Sequence, residues 1–222
     1  MISKTQRNPR PFLLNWKTEL ITLLVVCLCL FLAIAFPHKD GVQLFSCIIF
    51  FLIGLPILFI RLILKKTLAE FGLNIAQKKS GFLWAGLMLM LSFLITFVLV
   101  YFFQLNTRYI LPVFIVHNFW IFLFYEMVLM NGILFILEFF FHGFIQTALE
   151  RKLGAWSILI QFVIFMGFFF FIQKLSWQYT PFIILSLTGG VVAYKSKSFI
   201  YSYLMGLAFL LCFDVYIIGL VK

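Results

Sequence analysis

Four predominantly apolar runs, at 20–36, 43–64, 81–103 and 199–221, have the roughly 17–25 residues that a helix needs to cross a bilayer. A fifth run at 156–172 is just long enough, and a sixth at 181–194 is short and carries TGG, which fits a tilted, broken or protein-covered helix. Lipid supplies no partners for backbone amides, so chains of this kind fold as helices or closed barrels. Runs this long and unalternated predict helices. The chain is 64% hydrophobic and 11% charged, whereas soluble domains are about 25% charged. The expected fold class is all-α, a polytopic transmembrane helical bundle forming a single integral membrane domain over residues 1–222.

The net charge of +10 does not point to nucleic acid, because the basic residues come in short clusters between apolar runs. The clusters are Lys4/Arg7/Arg10/Lys17, Arg61/Lys65/Lys66/Lys78/Lys79, Arg151/Lys152 and Lys195/Lys197. Placing all four on the cytoplasmic side puts 13 of the 17 Lys and Arg there, including a basic tail at 1–17. Only Lys39, Arg108, Lys174 and Lys222 then lie outside. This needs the 41-residue stretch 109–149 to cross once, expected at about 128–149, after a re-entrant or interfacial segment near 109–126. The reading is about seven crossings of a bacterial plasma membrane with the amino terminus cytoplasmic. The run at 20–36 is read as a retained first helix, since it is long for the apolar part of a signal peptide. Cys27, Cys29, Cys47 and Cys212 all fall in apolar runs without ligand spacing and read as buried thiols.

Within ILEFFFHGFIQTALERK, at 136–152, a carboxylate and an imidazole stand four residues apart. On a helix Glu138 and His142 share a face, Asn131 joins it two turns earlier, and Gln146 extends it by one. Ionisable groups in lipid are costly and face the bundle interior. The stripe Asn131–Glu138–His142–Gln146 is open to three readings: a satisfied structural pair, a metal or water-activating site, or a proton relay in a transporter. His117, Glu126 and Asp214 are further intramembrane polar candidates. Glu126 and Asp214 are expected near helix boundaries, and His117–Asn118 at a polar break.

The segment LEFFFHGFIQTALERKLGAWSILIQFVIFMG resembles the signature region of the CAAX-protease and bacteriocin-processing (CPBP) family of intramembrane proteases, which reads EExxFRGFL, a basic turn, then a helix ending FxxxH. Upstream LAEFGLNIAQKKSGFLWAG is similar to the family's FGL segment, and TGGVVAYKSKSFIYSYLMG to its last two helices, so the likeness spans about 65–215. The resemblance implies a polar intramembrane site that activates water for peptide hydrolysis, with or without metal. Its positions fall here on Leu137, Glu138 and His142, then on Phe169 if Phe165 is the motif phenylalanine, then near Gly206 and Leu210. Only Glu138 matches. Zinc would find an incomplete ligand set, since catalytic zinc takes about three protein ligands. The resemblance therefore implies a weak or inactive member that binds a membrane protein or peptide partner. An active peptidase using Glu138 and His142 and a small proton-coupled transporter stand as alternatives.

Overall fold

The computed structural model describes residues 17–109, 113–173 and 177–221; Lys4, Arg7, Arg10, Lys174 and Lys222 lie outside them. Among the described residues there are seven helices and no strand. They are α1 (Lys17–Ala35), α2 (Gly41–Ile63), α3 (Lys78–Phe103), α4 (Phe119–Leu153), α5 (Trp156–Gln173), α6 (Thr180–Ser196) and α7 (Phe199–Val221). The first four and α7 are long and apolar enough to cross a membrane. Exposed Leu24 on α1, Leu62 on α2, Phe82 and Met90 on α3, Val128 on α4 and Val215 on α7 give their outer faces an apolar surface.

Local chemistry sets the breaks. Asp40 caps α2 by accepting from the Gln43 amide at 2.8 Å, and Gln43 Oε1 accepts from the Lys39 amide at 2.9 Å. Pro56 lacks an amide hydrogen, and the α2 ladder slips to wide π-helical turns at Phe50–Gly54 and Phe59–Ile63 on either side of it. Asn118 opens α4 by accepting from the Trp120 and Ile121 amides at 3.0 and 3.2 Å. No proline interrupts the chain from there to Pro181, so α4 runs 35 residues until Gly154, whose φ of 54° turns the chain into α5.

Ahead of the long crossing, short helical turns at Leu105–Arg108 and Val113–Val116 occupy the segment expected to be re-entrant or interfacial, and the single long helix starts at Phe119 rather than near 128. The polar His117–Asn118 break is a helix cap. Exposed Phe119 and Trp120 begin α4, a composition typical of a membrane interface.

The helices alternate in direction. At one end Arg151 lies 4.0 Å from Glu70, Lys197 pairs with Glu150, and Asn74 Nδ2 donates to the Lys197 carbonyl at 3.0 Å. The Phe199 amide and Ser198 hydroxyl both donate to the Gly72 carbonyl, at 3.2 and 3.0 Å. The 65–77 connection is thereby clamped onto the turn between α6 and α7. At the other end the Arg108 guanidinium sits 5.0 Å over the Trp177 ring. The clusters around Lys66, Lys78, Arg151 and Lys195 thus share one end of the bundle. Short α6 is the covered helix, enclosed by α3, α5, α7 and the 138–146 part of α4.

Candidate functional site

Glu138–Gln146 is a nine-residue π-helical stretch of α4 in which every residue is buried. Gly143 helps to place it, because a Cβ there would meet the Phe199 ring at 3.0 Å and the Phe71 carbonyl at 3.2 Å. The widened turns direct Glu138, His142 and Gln146 at α6. Glu138 is 2% exposed and His142 is 3% exposed, so the expected pair lies fully inside the protein.

His142 Nδ1 lies 2.6 Å from Glu138 Oε2, and Nε2 lies 3.0 Å from the Ser186 carbonyl. A carbonyl only accepts, so Nε2 carries a proton and donates it there. One further proton is shared across the Nδ1–Oε2 contact. The Ser202 hydroxyl of α7 donates to the same Glu138 oxygen. Gln146 Nε2 donates to the Gly190 carbonyl at 2.7 Å, and Gln161 Nε2 of α5 to the Ser186 hydroxyl at 3.0 Å. Four helices are thus tied together through one polar cluster.

Two glycines let α6 approach. A Cβ on Gly189 would stand 2.6 Å from Ser202 Oγ, 2.9 Å from His142 Cε1 and 3.2 Å from Glu138 Oε1. A Cβ on Gly190 would stand 3.3 Å from Gln161 Oε1 and 3.4 Å from Gln146 Oε1, two oxygens that meet no donor. The TGG of the short helix is therefore the wall of the cluster. The free space touching Glu138, His142 and Ser186 is about 10 Å³, the least that holds one water molecule.

Asn131 does not join this face. It is half-buried, donates to the Met127 carbonyl at 3.2 Å and accepts from the Tyr203 hydroxyl. The cause is packing: α6 lies against 138–146, whereas 131–137 packs on α7 and α2. His117 stands exposed in the turn before α4, 21 residues ahead of Glu138 on the chain.

Glu126 and Asp214 are not boundary residues either. They are 2% and 0% exposed, and they form a second buried cluster with Tyr109. The Tyr109 hydroxyl donates to Asp214 Oδ1 at 2.9 Å, and the two carboxyl groups are within hydrogen-bonding reach of each other. Glu126 Oε1 and Asp214 Oδ2 meet no other donor. Two carboxyl groups join only through a proton, so this cluster holds one between them.

The candidates divide into two groups on the same helix pair. Glu138 meets Ser202, and twelve residues further along each antiparallel helix Glu126 meets Asp214, about 18 Å away at 1.5 Å per residue. Ser186, Gln161 and Ser202 went unmarked in the sequence, because lone Ser and Gln in apolar runs carry no spacing signal. Phe169, at the position of an expected imidazole, stacks on Phe165 at 4.6 Å between ring centres. Among the described residues no three of His, Cys, Asp and Glu converge to hold a metal. No family model matches the sequence, and neither a curated protein nor a solved structure is matched by it.

Proposed function

We propose that the chain is a non-hydrolytic, CPBP-like integral membrane protein whose former catalytic region serves as a structural polar core, and that it acts by binding another membrane protein or peptide. The observation that carries this reading is the occupancy of His142. Both ring nitrogens are committed, one to Glu138 and one to the Ser186 carbonyl, and the adjoining space admits a single water. A general base needs a free lone pair within reach of the water it activates, and peptide hydrolysis also needs room for the scissile carbonyl and a donor for its oxyanion. The sheltered pair supplies neither room nor donor.

The reading places the protein in a bacterial plasma membrane with its amino terminus cytoplasmic. Support comes from the gathering of Lys66, Lys78, Arg151 and Lys195 at one end, the asymmetry that orients membrane chains. The transporter alternative gains the Glu126–Asp214 cluster but loses continuity, since Leu134 packed against Gly206 separates that cluster from Glu138.

The test uses purified chain in detergent with transmembrane peptides as substrate. No cleavage is expected. Peptide release by the wild-type chain that vanishes in Glu138→Gln would overturn the reading in favour of the peptidase. For the binding role, the chain extracted gently from its native membrane is expected to travel with one stoichiometric polypeptide. Migration as a bare monomer counts against that role.

A further inference from the structure

α6 is covered on every side but one. Ile183, Leu187 and Val191 are half-buried and Lys195 is exposed, whereas the residues between them, apart from Tyr194, are buried. A spacing of four keeps side chains on one helical face, so the opening is a single stripe. Named contacts fix its borders. On one flank Thr188 Oγ1 lies 3.0 Å from the Ser92 hydroxyl of α3. On the other flank Gln161 of α5 donates to the Ser186 hydroxyl at 3.0 Å, and a Cβ on Gly190 would meet Ile158 Cγ2 at 3.2 Å. The stripe is thus the floor of a furrow between α3 and α5. We infer that this furrow holds one anionic phospholipid, with an acyl chain on Ile183, Leu187 and Val191 and the phosphate at Lys195.

Width selects the occupant. A helix is roughly 10–12 Å across with its side chains, and it would need more of α6 than one residue per turn. A single acyl chain fits a floor one side chain wide. Length agrees with this. Ile183 to Lys195 spans about 18 Å at 1.5 Å per residue. One leaflet contributes about 15 Å, half of the hydrocarbon core.

The charged end of the stripe lies at headgroup depth. Phe82 and Leu83, nearer the start of α3 than Trp84, are 64% and 62% exposed, so apolar surface continues past Trp84 towards the basic end. Tryptophan itself is favoured at the membrane interface. The Lys195 ammonium sits 5.1 Å over the Trp84 ring and 5.9 Å from the centre of the Tyr194 ring.

Charge then decides the class of lipid. Lys197, over the same Tyr194 ring, is paired with Glu150, whereas Lys195 has no acidic partner among the described residues. A cation without a counter-charge therefore stands at the mouth of an apolar furrow, and a phosphate oxygen can accept from it in a charge-assisted bond. A choline headgroup already offsets its own phosphate with its ammonium, so a lipid of net negative charge fits better. The furrow lies on the face of α6 opposite Gly189, which meets the Glu138 cluster, and the inference is independent of the proposed function.

Delipidated full chain in detergent, titrated with dioleoyl phosphatidylglycerol and dioleoyl phosphatidylcholine and read by native mass spectrometry, tests the inference. One phosphatidylglycerol is expected to bind about tenfold more tightly than phosphatidylcholine, as one charge-assisted hydrogen bond provides. Lys195→Gln is expected to erase that preference. Lys152→Gln, which removes another exposed cation from the same end, is expected to leave it. Leu187→Trp fills the furrow and is expected to weaken both lipids; should it fail to fold, Val191→Phe takes its place. Equal affinity for the two lipids in the wild type, a preference that survives Lys195→Gln, or one lost equally in Lys152→Gln overturns the site. Lipid affinity unchanged by the filled furrow overturns it too. Displacement of the lipid by water-soluble glycerophosphoglycerol at equal concentration would overturn the acyl-chain contact. A wild-type dimer that Leu187→Trp disperses would overturn the lipid in favour of a second copy of the chain.

Discussion

Gly206 on α7 faces Leu134 on α4 so closely that a Cβ on the glycine would stand 3.1 Å from Leu134 Cδ1 and 3.2 Å from Cδ2. The contact lies between the two buried polar clusters and fills the space with hydrocarbon. The neighbours of Gly206 and those of Gly189 on α6 are not equally rigid. The atoms met at Gly206 are ends of leucine side chains, which can rotate. Those met at Gly189 are Ser202 Oγ at 2.6 Å and His142 Cε1 at 2.9 Å, both fixed by hydrogen bonds. Gly206→Ala is therefore expected to cost about 1 kcal/mol and Gly189→Ala about 3 kcal/mol, the two ends of the overpacking range. Thermal unfolding in detergent measures the order of the two variants; the reverse order would contradict the packing described for α6.

The Glu138–His142 pair gives a second test. Replacing His142 with Phe leaves the Glu138 carboxyl with the Ser202 hydroxyl alone, and uncovers the Ser186 carbonyl. Loss of a buried partner costs about 1–3 kcal/mol and more for a charged group. The double variant Glu138→Met/His142→Phe removes both members of the pair, and is expected to recover a large part of the loss, as buried pairs replaced by apolar residues do. A double variant as unstable as the sum of the two singles would show that the pair contributes nothing as a pair. The same double variant should leave any association with a partner polypeptide intact, because the cluster is sealed from the surface.

Much of this was legible in the residues. Helix class and the number of long spans follow from run length, and the Glu138–His142 contact follows from a spacing of four. Gln146 joined the same face as the spacing predicts. Asn131 did not, because helical spacing fixes a direction from the axis but not which neighbour lies in that direction. Glu126 and Asp214 were unreadable for a related reason: their partnership joins residues 88 positions apart in the chain, and depends on how α4 and α7 slide past each other. The start of α4 was hidden in His117–Asn118, which looked like an interruption and proved to be a cap. The π-helical stretch carries no proline and announces itself only through Gly143, against which Phe199 and the Phe71 carbonyl pack.

The outer cluster gives a third prediction. Glu126 Oε1 and Asp214 Oδ2 lack a donor unless a proton lies between them. Glu126→Gln supplies an amide N–H in place of that proton at nearly the same volume. It is expected to be neutral or stabilising in thermal unfolding. Glu126→Leu, which supplies no donor, is expected to cost about 1–3 kcal/mol. Tyr109→Phe removes the 2.9 Å bond to Asp214 and is expected to cost about 1 kcal/mol. A Glu126→Gln variant as damaged as Glu126→Leu would mean that the two side chains are not partners.

The loop clamp at the basic end gives a prediction in pH. Thr67 and Glu70 form a reciprocal cap, in which the Thr67 amide donates to Glu70 Oε1 at 3.1 Å and the hydroxyl at 3.2 Å. These bonds are strongest to an ionised acceptor. The Thr67 amide is the main cause holding the Glu70 carboxyl below its ordinary 4.5; slight burial opposes it, and the Thr67 hydroxyl, Lys66 and Arg151 add to it. A depressed carboxyl stabilises the folded loop fully above the ordinary value, and the contribution is lost as pH falls through the depressed one. A spin label on exposed Ile75 reports the clamp, because that stretch is tied to the α6–α7 turn through Asn74 and Ser198. The label is expected to be immobile from neutral pH down to about 4.5 and to loosen below it. In Glu70→Gln the profile should flatten, with the loop looser at neutral pH, since an amide oxygen accepts more weakly than a carboxylate and does not attract Arg151. Loosening that begins well above 4.5 would assign the clamp to a different titrating group.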